Sequence, residues 1–68
     1  MKQIYIVPNR AIAHMIRGVL ENNHIPAMIQ PYTPLAAAQY ADGYMQILVP
    51  EDKEYEAKHL LSSFFDSI

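Results

Sequence analysis

The chain has 68 residues, of which 51% are apolar and 18% are charged, and its formal net charge is −2. This composition predicts one folded domain over residues 1–68 and excludes a disordered tail. There is no cysteine, which excludes disulfides and cysteine-ligated zinc. The weakly acidic balance argues against a nucleic-acid partner, because phosphate binding needs a basic surface.

Nothing in the sequence predicts a membrane partner. The apolar runs are far shorter than the ~20 residues of a membrane-spanning helix. The N-terminal segment also lacks the long apolar stretch of a signal peptide. We therefore expect a cytoplasmic protein.

The first part of the chain predicts a strand and then a helix. Gln3–Val7 is β-branched and aromatic, as is typical of a strand. Asn9 suits the N-cap of a helix that runs to about Asn23, and an Asn or His of Asn22–His24 is expected to end it in the left-handed conformation. The apolar side chains of this helix share one side and predict its buried surface: Ile12, Met15, Ile16, Val19 and Leu20.

The second part predicts two strands and a second helix. The strands are Ile25–Gln30 and Tyr44–Val49, and the long segment Pro31–Gly43 between them reads as a loop. A helix is expected from Glu51 to about Asp66, with acidic residues in its first turn. Its predicted buried side consists of Ala57, Leu60, Leu61, Phe64, Phe65 and Ile68.

The order β-α-β-β-α predicts an α+β, two-layer sandwich. A right-handed crossover through the first helix makes the first two strands parallel. We expect a three-stranded mixed sheet with both helices on one face, which is a ferredoxin-like unit without its last strand.

One face of such a sheet is left without helices. On that face we expect Met28 and Gln30 of the second strand and Tyr44, Gln46 and Leu48 of the third. The first strand presents either Ile4 and Ile6 or Tyr5 and Val7. Exposed apolar surface of this kind usually marks an interaction site, and we predict a homodimer through this face or through a sheet edge. The alternative is that the loop folds over the face.

Tyrosines are concentrated in or beside the loop. They are suited to a ligand lid or a protein-binding patch, or else to a small core that fixes the loop on the sheet. The complete candidate interaction surface is Tyr5, Met28, Tyr32, Tyr40, Tyr44, Gln46 and Leu48.

Arg10, His14 and Arg17 recur at i, i+4 and i+7 and form a basic stripe on the first helix. An anion or an acidic partner could bind there. A solvated helix side, with Arg17 and Glu21 as an i, i+4 pair, explains the same residues.

The sequence offers little for catalysis. Tyr55 and His59, at i, i+4 on the polar side of the second helix, have no nucleophile or carboxylate tied to them by spacing. The three histidines have no metal-ligand spacing, and two glycines are too few for a phosphate-binding loop. We expect no enzyme activity, no metal and no cofactor.

Three segments carry a family resemblance. They are Ile-Tyr-x-x-Pro-Asn at Ile4–Asn9, Ile-Pro-Ala at Ile25–Ala27, and Ile-x-Val-Pro-Glu-Asp at Ile47–Asp52. This layout resembles an uncharacterised prokaryotic domain family described as "putative signal-transducing protein", whose fold is similar to that of the PII signalling proteins. A glycine commonly follows the first helix in that family, where this chain has His24.

The resemblance implies a small signalling or regulatory module. PII proteins bind nucleotide and signal through a loop between strands 2 and 3, which corresponds here to Pro31–Gly43. No PII nucleotide-binding motif is present, so the resemblance brings no ligand. We expect a non-enzymatic interaction module that is a homodimer and uses its open sheet face and this loop. The alternative is a sensor of an anionic metabolite, with the loop as a lid.

Overall fold

The computed structural model describes residues 1–32 and 43–66. The elements are β1 (Lys2–Val7), α1 (Arg10–Asn22), β2 (Met28–Pro31), β3 (Met45–Val49), a 3₁₀ turn (Glu51–Lys53) and α2 (Glu54–Asp66). This confirms the predicted β-α-β-β-α order and the α+β class. Neither helix in the described part of the chain is long and apolar enough to cross a membrane.

The sheet has the strand order β1-β3-β2, and both neighbouring pairs are antiparallel. The sheet was predicted to be mixed, but both of its hydrogen-bonded strand pairs are antiparallel. β1 and β2 do run parallel, but β3 lies between them, so no parallel pair is hydrogen-bonded. This is the split β-α-β arrangement of ferredoxin-like domains.

A β-bulge in β1 changes which side chains face the helices. The register shifts between Gln3, which pairs with Leu48, and Tyr5, which pairs with Ile47. The extra residue, Ile4, packs against the core. The prediction that either Ile4 and Ile6 or Tyr5 and Val7 face away from the helices was therefore wrong, because a bulge reverses the alternation along a strand. Only Ile6, of the four candidates, lies on the open side.

The core lies between the sheet and the two helices. Along β3, Met45, Ile47 and Val49 are buried, whereas the residues between them are only half-buried. The other buried side chains come from β1, α1, the segment before β2, and α2: Val7, Ala13, Ile16, Leu20, Ile25, Ala57 and Leu61. Since only one face of the central strand is buried, both helices cover that same face.

The buried side of α1 differs from the predicted one. Ala13, Ile16 and Leu20 are fully buried, whereas Met15 is 49% exposed. Ile12 and Val19 are half-buried at the margin. The predicted core position of Met15 is therefore wrong. The side of α1 that bears the small Ala13 is at the centre of the contact with the sheet. Apolar periodicity gives little weight to an alanine, so it did not identify this position as buried.

Both predicted ends of α1 are confirmed. Asn9 accepts a hydrogen bond from the Ile12 N–H at 2.9 Å. At the other end His24 has φ 63°, in the left-handed region. Its N–H donates to the Glu21 carbonyl, and the Ile25 N–H donates to the Leu20 carbonyl. These two bonds form a Schellman motif, with the buried Leu20 and Ile25 at its apolar ends.

That motif also explains why β2 begins later than predicted. The N–H of Ile25 is used by the helix cap, and Pro26 has no N–H to donate. The strand therefore starts at Met28 rather than Ile25.

The second helix follows its predicted apolar side in part. Ala57 and Leu61 are fully buried, and Leu60 and Phe64 are half-buried. Phe65 is 38% exposed. Ile68 lies outside the described residues.

Candidate functional site

The face of the sheet opposite the helices is the candidate site, and we call it the open face. Paired strand residues point to the same side of a sheet, so the register places Gln3, Leu48 and Met28 in one row and Ile6, Gln46 and Gln30 in the next. Strand alternation adds Tyr44 beyond Gln46. The open face is therefore Gln3, Ile6, Met28, Gln30, Tyr44, Gln46 and Leu48.

Side-chain amides connect the strands across this face. The Gln3 Nε2 donates to the Gln46 Oε1 at 3.1 Å, and the Gln46 Nε2 donates to the Pro31 carbonyl at 3.3 Å. On β2, the Gln30 Nε2 lies 3.2 Å from the Met28 Sδ. Gln46 is thus fixed at the centre of the face by contacts on both sides.

The open face combines apolar exposure with an absence of charge. Ile6, Met28 and Tyr44 are 41%, 44% and 42% exposed, and Leu48 and Gln46 are half-buried between them. None of its seven side chains is ionisable near neutral pH, although 18% of the chain is charged. Such a surface is suited to packing against another uncharged surface.

The structure brings most of the predicted interaction surface together. Met28, Tyr44, Gln46 and Leu48 all lie on the open face. Tyr32 is half-buried beside it, and its N–H donates to the Tyr44 carbonyl at 2.9 Å.

One predicted member, Tyr5, does not lie on the open face. Tyr5 lies on the helix side, half-buried, with its ring edge-on to Phe65 at a centroid distance of 5.9 Å. Its place on the interaction surface is therefore corrected; the pairing of Tyr5 with the buried Ile47 sets this orientation. Tyr40 lies outside the described residues, as does most of the Pro31–Gly43 loop.

Gln3 was missed by sequence reasoning, and the β-bulge is the cause. Counting back in twos from the buried Val7 puts Gln3 on the helix side. The bulge instead moves Gln3 to the open face and brings Lys2 to the helix side, where its Nζ lies 3.8 Å from the Glu54 Oε1. No residue type in β1 is typical of a bulge, so the sequence alone could not predict that Gln3 faces the open side.

Charged side chains concentrate on the helix layer. Lys58 Nζ lies 3.0 Å from Glu54 Oε2. That hydrogen bond lowers the pKa of Glu54 below its ordinary value of 4.5; desolvation opposes the shift, and the charges of Lys2 and Lys58 add to it. The Lys2–Glu54 pair joins β1 to α2, the Lys58–Glu54 pair lies within α2, and neither extends to the open face.

The predicted basic stripe lies on the solvent side of α1. Arg10 and His14 are exposed, and Arg17 is half-buried with its Nε 3.8 Å from Glu21 Oε1. This contact matches the solvated-side alternative, in which one of the two arginines already has an anionic neighbour. Arg10 has no ion pair among the described residues.

Comparison with known families gives one match. A family model described as "Putative prokaryotic signal transducing protein" matches residues 1–64. The chain belongs to this family. The match covers all three strands, the whole of α1 and all but the last two residues of α2. It confirms the resemblance seen in the three segments. Membership also gives a context for His24, whose positive φ is the conformation that a glycine at this family position would adopt without strain.

Neither the curated proteins nor the solved structures gave a significant match to this chain. The family description indicates a role in signal transduction and specifies no ligand, partner or reaction.

Proposed function

We propose that this chain is a signalling module that acts by binding rather than by catalysis, and that it assembles into a homodimer through its open face. The single observation that supports this most is the uncharged, partly apolar sheet face, on which Ile6, Met28 and Tyr44 remain exposed. A monomer gains nothing from keeping such side chains in water, and surfaces of this kind usually bind another protein.

The lack of charge favours a second copy as the partner. Two-fold symmetry places the same patch on both subunits, so any charge near the axis would meet its own like charge. Ionised side chains are absent from the open face, and this repulsion does not arise. Gln46, at the centre of the face, has amide groups that can serve as both donor and acceptor, as a self-complementary contact requires.

The edges of the sheet are poorly suited to pairing with another strand. β2 has four residues and ends at Pro31, and β1 carries a bulge. Short strands, prolines and bulges all oppose strand addition at an edge. Packing of face on face, with the sheets about 10 Å apart, is therefore the arrangement we propose.

The size of the face sets the expected strength of the dimer. Three strands spaced about 4.8 Å apart, each about five residues long, form a face of roughly 15 by 17 Å. This is smaller than the roughly 800 Å² that each partner buries in a standard interface. We therefore expect a dimer that dissociates with a Kd of about micromolar order, so that assembly responds to concentration.

Two exposed methionines provide a matched test. Met28 is 44% exposed on the open face and Met15 is 49% exposed on α1. In sedimentation equilibrium from micromolar to millimolar protein, Met28→Lys should shift the chain to monomer, because a two-fold contact brings the new charges together. Met15→Lys should leave the dimer unchanged. Wild-type protein that stays monomeric throughout, or equal effects of both substitutions, would contradict the proposed dimer.

A second candidate function is the sensing of an anionic metabolite near Arg10, His14 and Arg17. It is supported by the position of the end of the loop: a β-carbon at Gly43 would lie 3.6 Å from the Pro8 carbonyl oxygen, close to the start of α1. Gly43, the last residue of the loop, and Arg10 therefore lie at the same end of the molecule.

A thermal-shift screen of phosphorylated and carboxylated metabolites tests this candidate. A ligand at 100 times its Kd should stabilise the fold by about 2.7 kcal/mol. Arg10→Gln should abolish the shift, and Lys53→Gln, which removes one positive charge elsewhere, should preserve it. Equal loss in both variants would indicate a general charge effect instead of a site.

A further inference from the structure

A shallow groove of about 670 Å³ runs along the solvent side of the 3₁₀ turn and α2. Its lining includes Glu51, Asp52, Tyr55 and His59, which recur at the three- and four-residue spacings that place side chains on one side of a helix. The groove belongs to the helix layer, so it is separate from the open face.

An exposed aromatic pair, Tyr55 and His59, lines this groove. Tyr55 is 80% exposed, more than any other large apolar or aromatic side chain in the described chain. Its ring is stacked on that of His59, with planes within 6° and centroids 6.0 Å apart. Because Tyr55 buries little area against the core, packing of the fold does not account for it. The ring therefore presents a flat, solvent-exposed surface to a ligand.

The charges around the aromatic pair are unbalanced. Two charged residues of the lining, Glu54 and Lys58, pair with each other at 3.0 Å, and the Lys2 Nζ lies 3.8 Å from Glu54. Glu51 and Asp52, in contrast, make no ion pair with any described residue. Their position before α2 is favourable for the helix dipole, but that role does not require an aromatic surface one turn away. The groove thus combines two available carboxylates with an exposed aromatic ring.

We propose that this groove binds the guanidinium group of an arginine on an extended segment of a protein partner. A guanidinium is flat, so it can stack on Tyr55, and its fork of N–H donors fits a carboxylate in a bidentate manner. The compact ammonium of lysine provides only a point charge and cannot stack as a plane. Arginine is therefore the cation that uses both features of the groove.

This inference goes beyond the proposed dimer and does not depend on it. A dimer formed through the open face would keep both grooves accessible in its outer helix layers. A partner with two arginine-bearing segments would then bind one dimer at two sites, and dimerisation would raise its overall affinity.

The test is a titration of the full chain with two short acetylated peptides that alternate glycine with either arginine or lysine, followed by NMR. The arginine peptide should give saturable shifts concentrated in residues 51–62 and bind several times more tightly than the lysine peptide. Tyr55→Ala should weaken the arginine peptide about two- to fivefold, the effect of an exposed cation–π contact. Asp52→Asn should weaken both peptides. All these positions are exposed, and unchanged circular dichroism would verify the fold.

Glu21→Gln is the control, because it removes the same charge from the exposed side of α1. It should leave peptide binding within error of the wild type. Equal binding of the two peptides, no effect of Tyr55→Ala, or equal losses in Glu21→Gln and Asp52→Asn would overturn the proposal in favour of non-specific charge attraction. The absence of saturable shifts at millimolar peptide would overturn it as well. Met28→Lys, which tests the open face, should not alter arginine binding.

Discussion

His24 offers a sharp test of the local energetics of this fold, because its backbone conformation is unfavourable for any residue with a side chain. Its φ of 63° belongs to the left-handed region, and its exposed side chain has no hydrogen bond or ion pair with described residues. The left-handed conformation costs an L-residue about 1–2 kcal/mol. The Schellman hydrogen bonds made by His24 and Ile25 hold the backbone there nonetheless.

We expect His24→Gly to stabilise the domain. Glycine removes the left-handed penalty but adds about 0.5–1 kcal/mol of backbone entropy to the unfolded chain. The net gain is about 0.5–1 kcal/mol. For a domain of this size each kcal/mol raises Tm by about 4–8 °C, so the predicted increase is roughly 2–8 °C. Thermal and urea unfolding followed by circular dichroism, at one fixed protein concentration, measure it.

His24→Ala separates the backbone effect from loss of the imidazole. Alanine keeps most of the left-handed penalty, so its Tm should stay close to that of the wild type. If His24→Gly melted at or below the wild type, the strain argument would be refuted. If His24→Ala gained as much as His24→Gly, the side chain itself would be the destabilising group.

Three further outcomes follow from the described contacts. Gly18→Ala should stabilise the fold by about 0.5–1 kcal/mol in urea unfolding, because an added β-carbon meets nothing within 4 Å and alanine favours a helix interior; a loss would show that the position is crowded. Asn9→Ala should cost about 1 kcal/mol by removing the N-cap of α1, and Asn9→Ser should recover most of it. The pKa of Glu54 in the folded protein is lowered by Lys58 and Lys2. The ionised form of Glu54 therefore stabilises the folded state at pH values above its ordinary pKa of 4.5. This stabilisation is lost as the pH falls through the lower pKa of the folded state. Wild type should therefore exceed Glu54→Gln in stability at neutral pH and converge with it in acid, and a constant difference across that range would contradict the ion-pair explanation.

Much of the fold was readable from local patterns. Asn9 before an amphipathic run predicted the start of α1, and the Asn and His residues of Asn22–His24 predicted a left-handed residue at its end; both hold in the structure, where His24 takes that position. The alternation in β3 predicted which of its residues are buried. These features depend on neighbours within a few residues, which is why sequence alone was sufficient.

The candidate site was only partly predictable. Met28, Gln46 and Leu48 follow from simple alternation in β2 and β3. Tyr5 was misplaced and Gln3 was missed because the bulge in β1 arises from its pairing with β3, and the sequence of one strand does not encode the register of two. Likewise, the exposure of Met15 depends on how α1 rotates against the sheet, which is decided by the fit of Ala13 into that contact.

The sequence by itself determined the order of the elements, their caps and most of their apolar sides, since propensity, capping and periodicity act over one or two helical turns. It also carried the motifs that place the chain in its family. Tertiary structure alone decided that β3 separates β1 from β2, that the bulge gathers Gln3 with Gln46 on an uncharged face, and that Glu54 meets both Lys2 and Lys58. These depend on contacts between residues far apart in the chain, where strand register and helix rotation are settled by packing of the whole core.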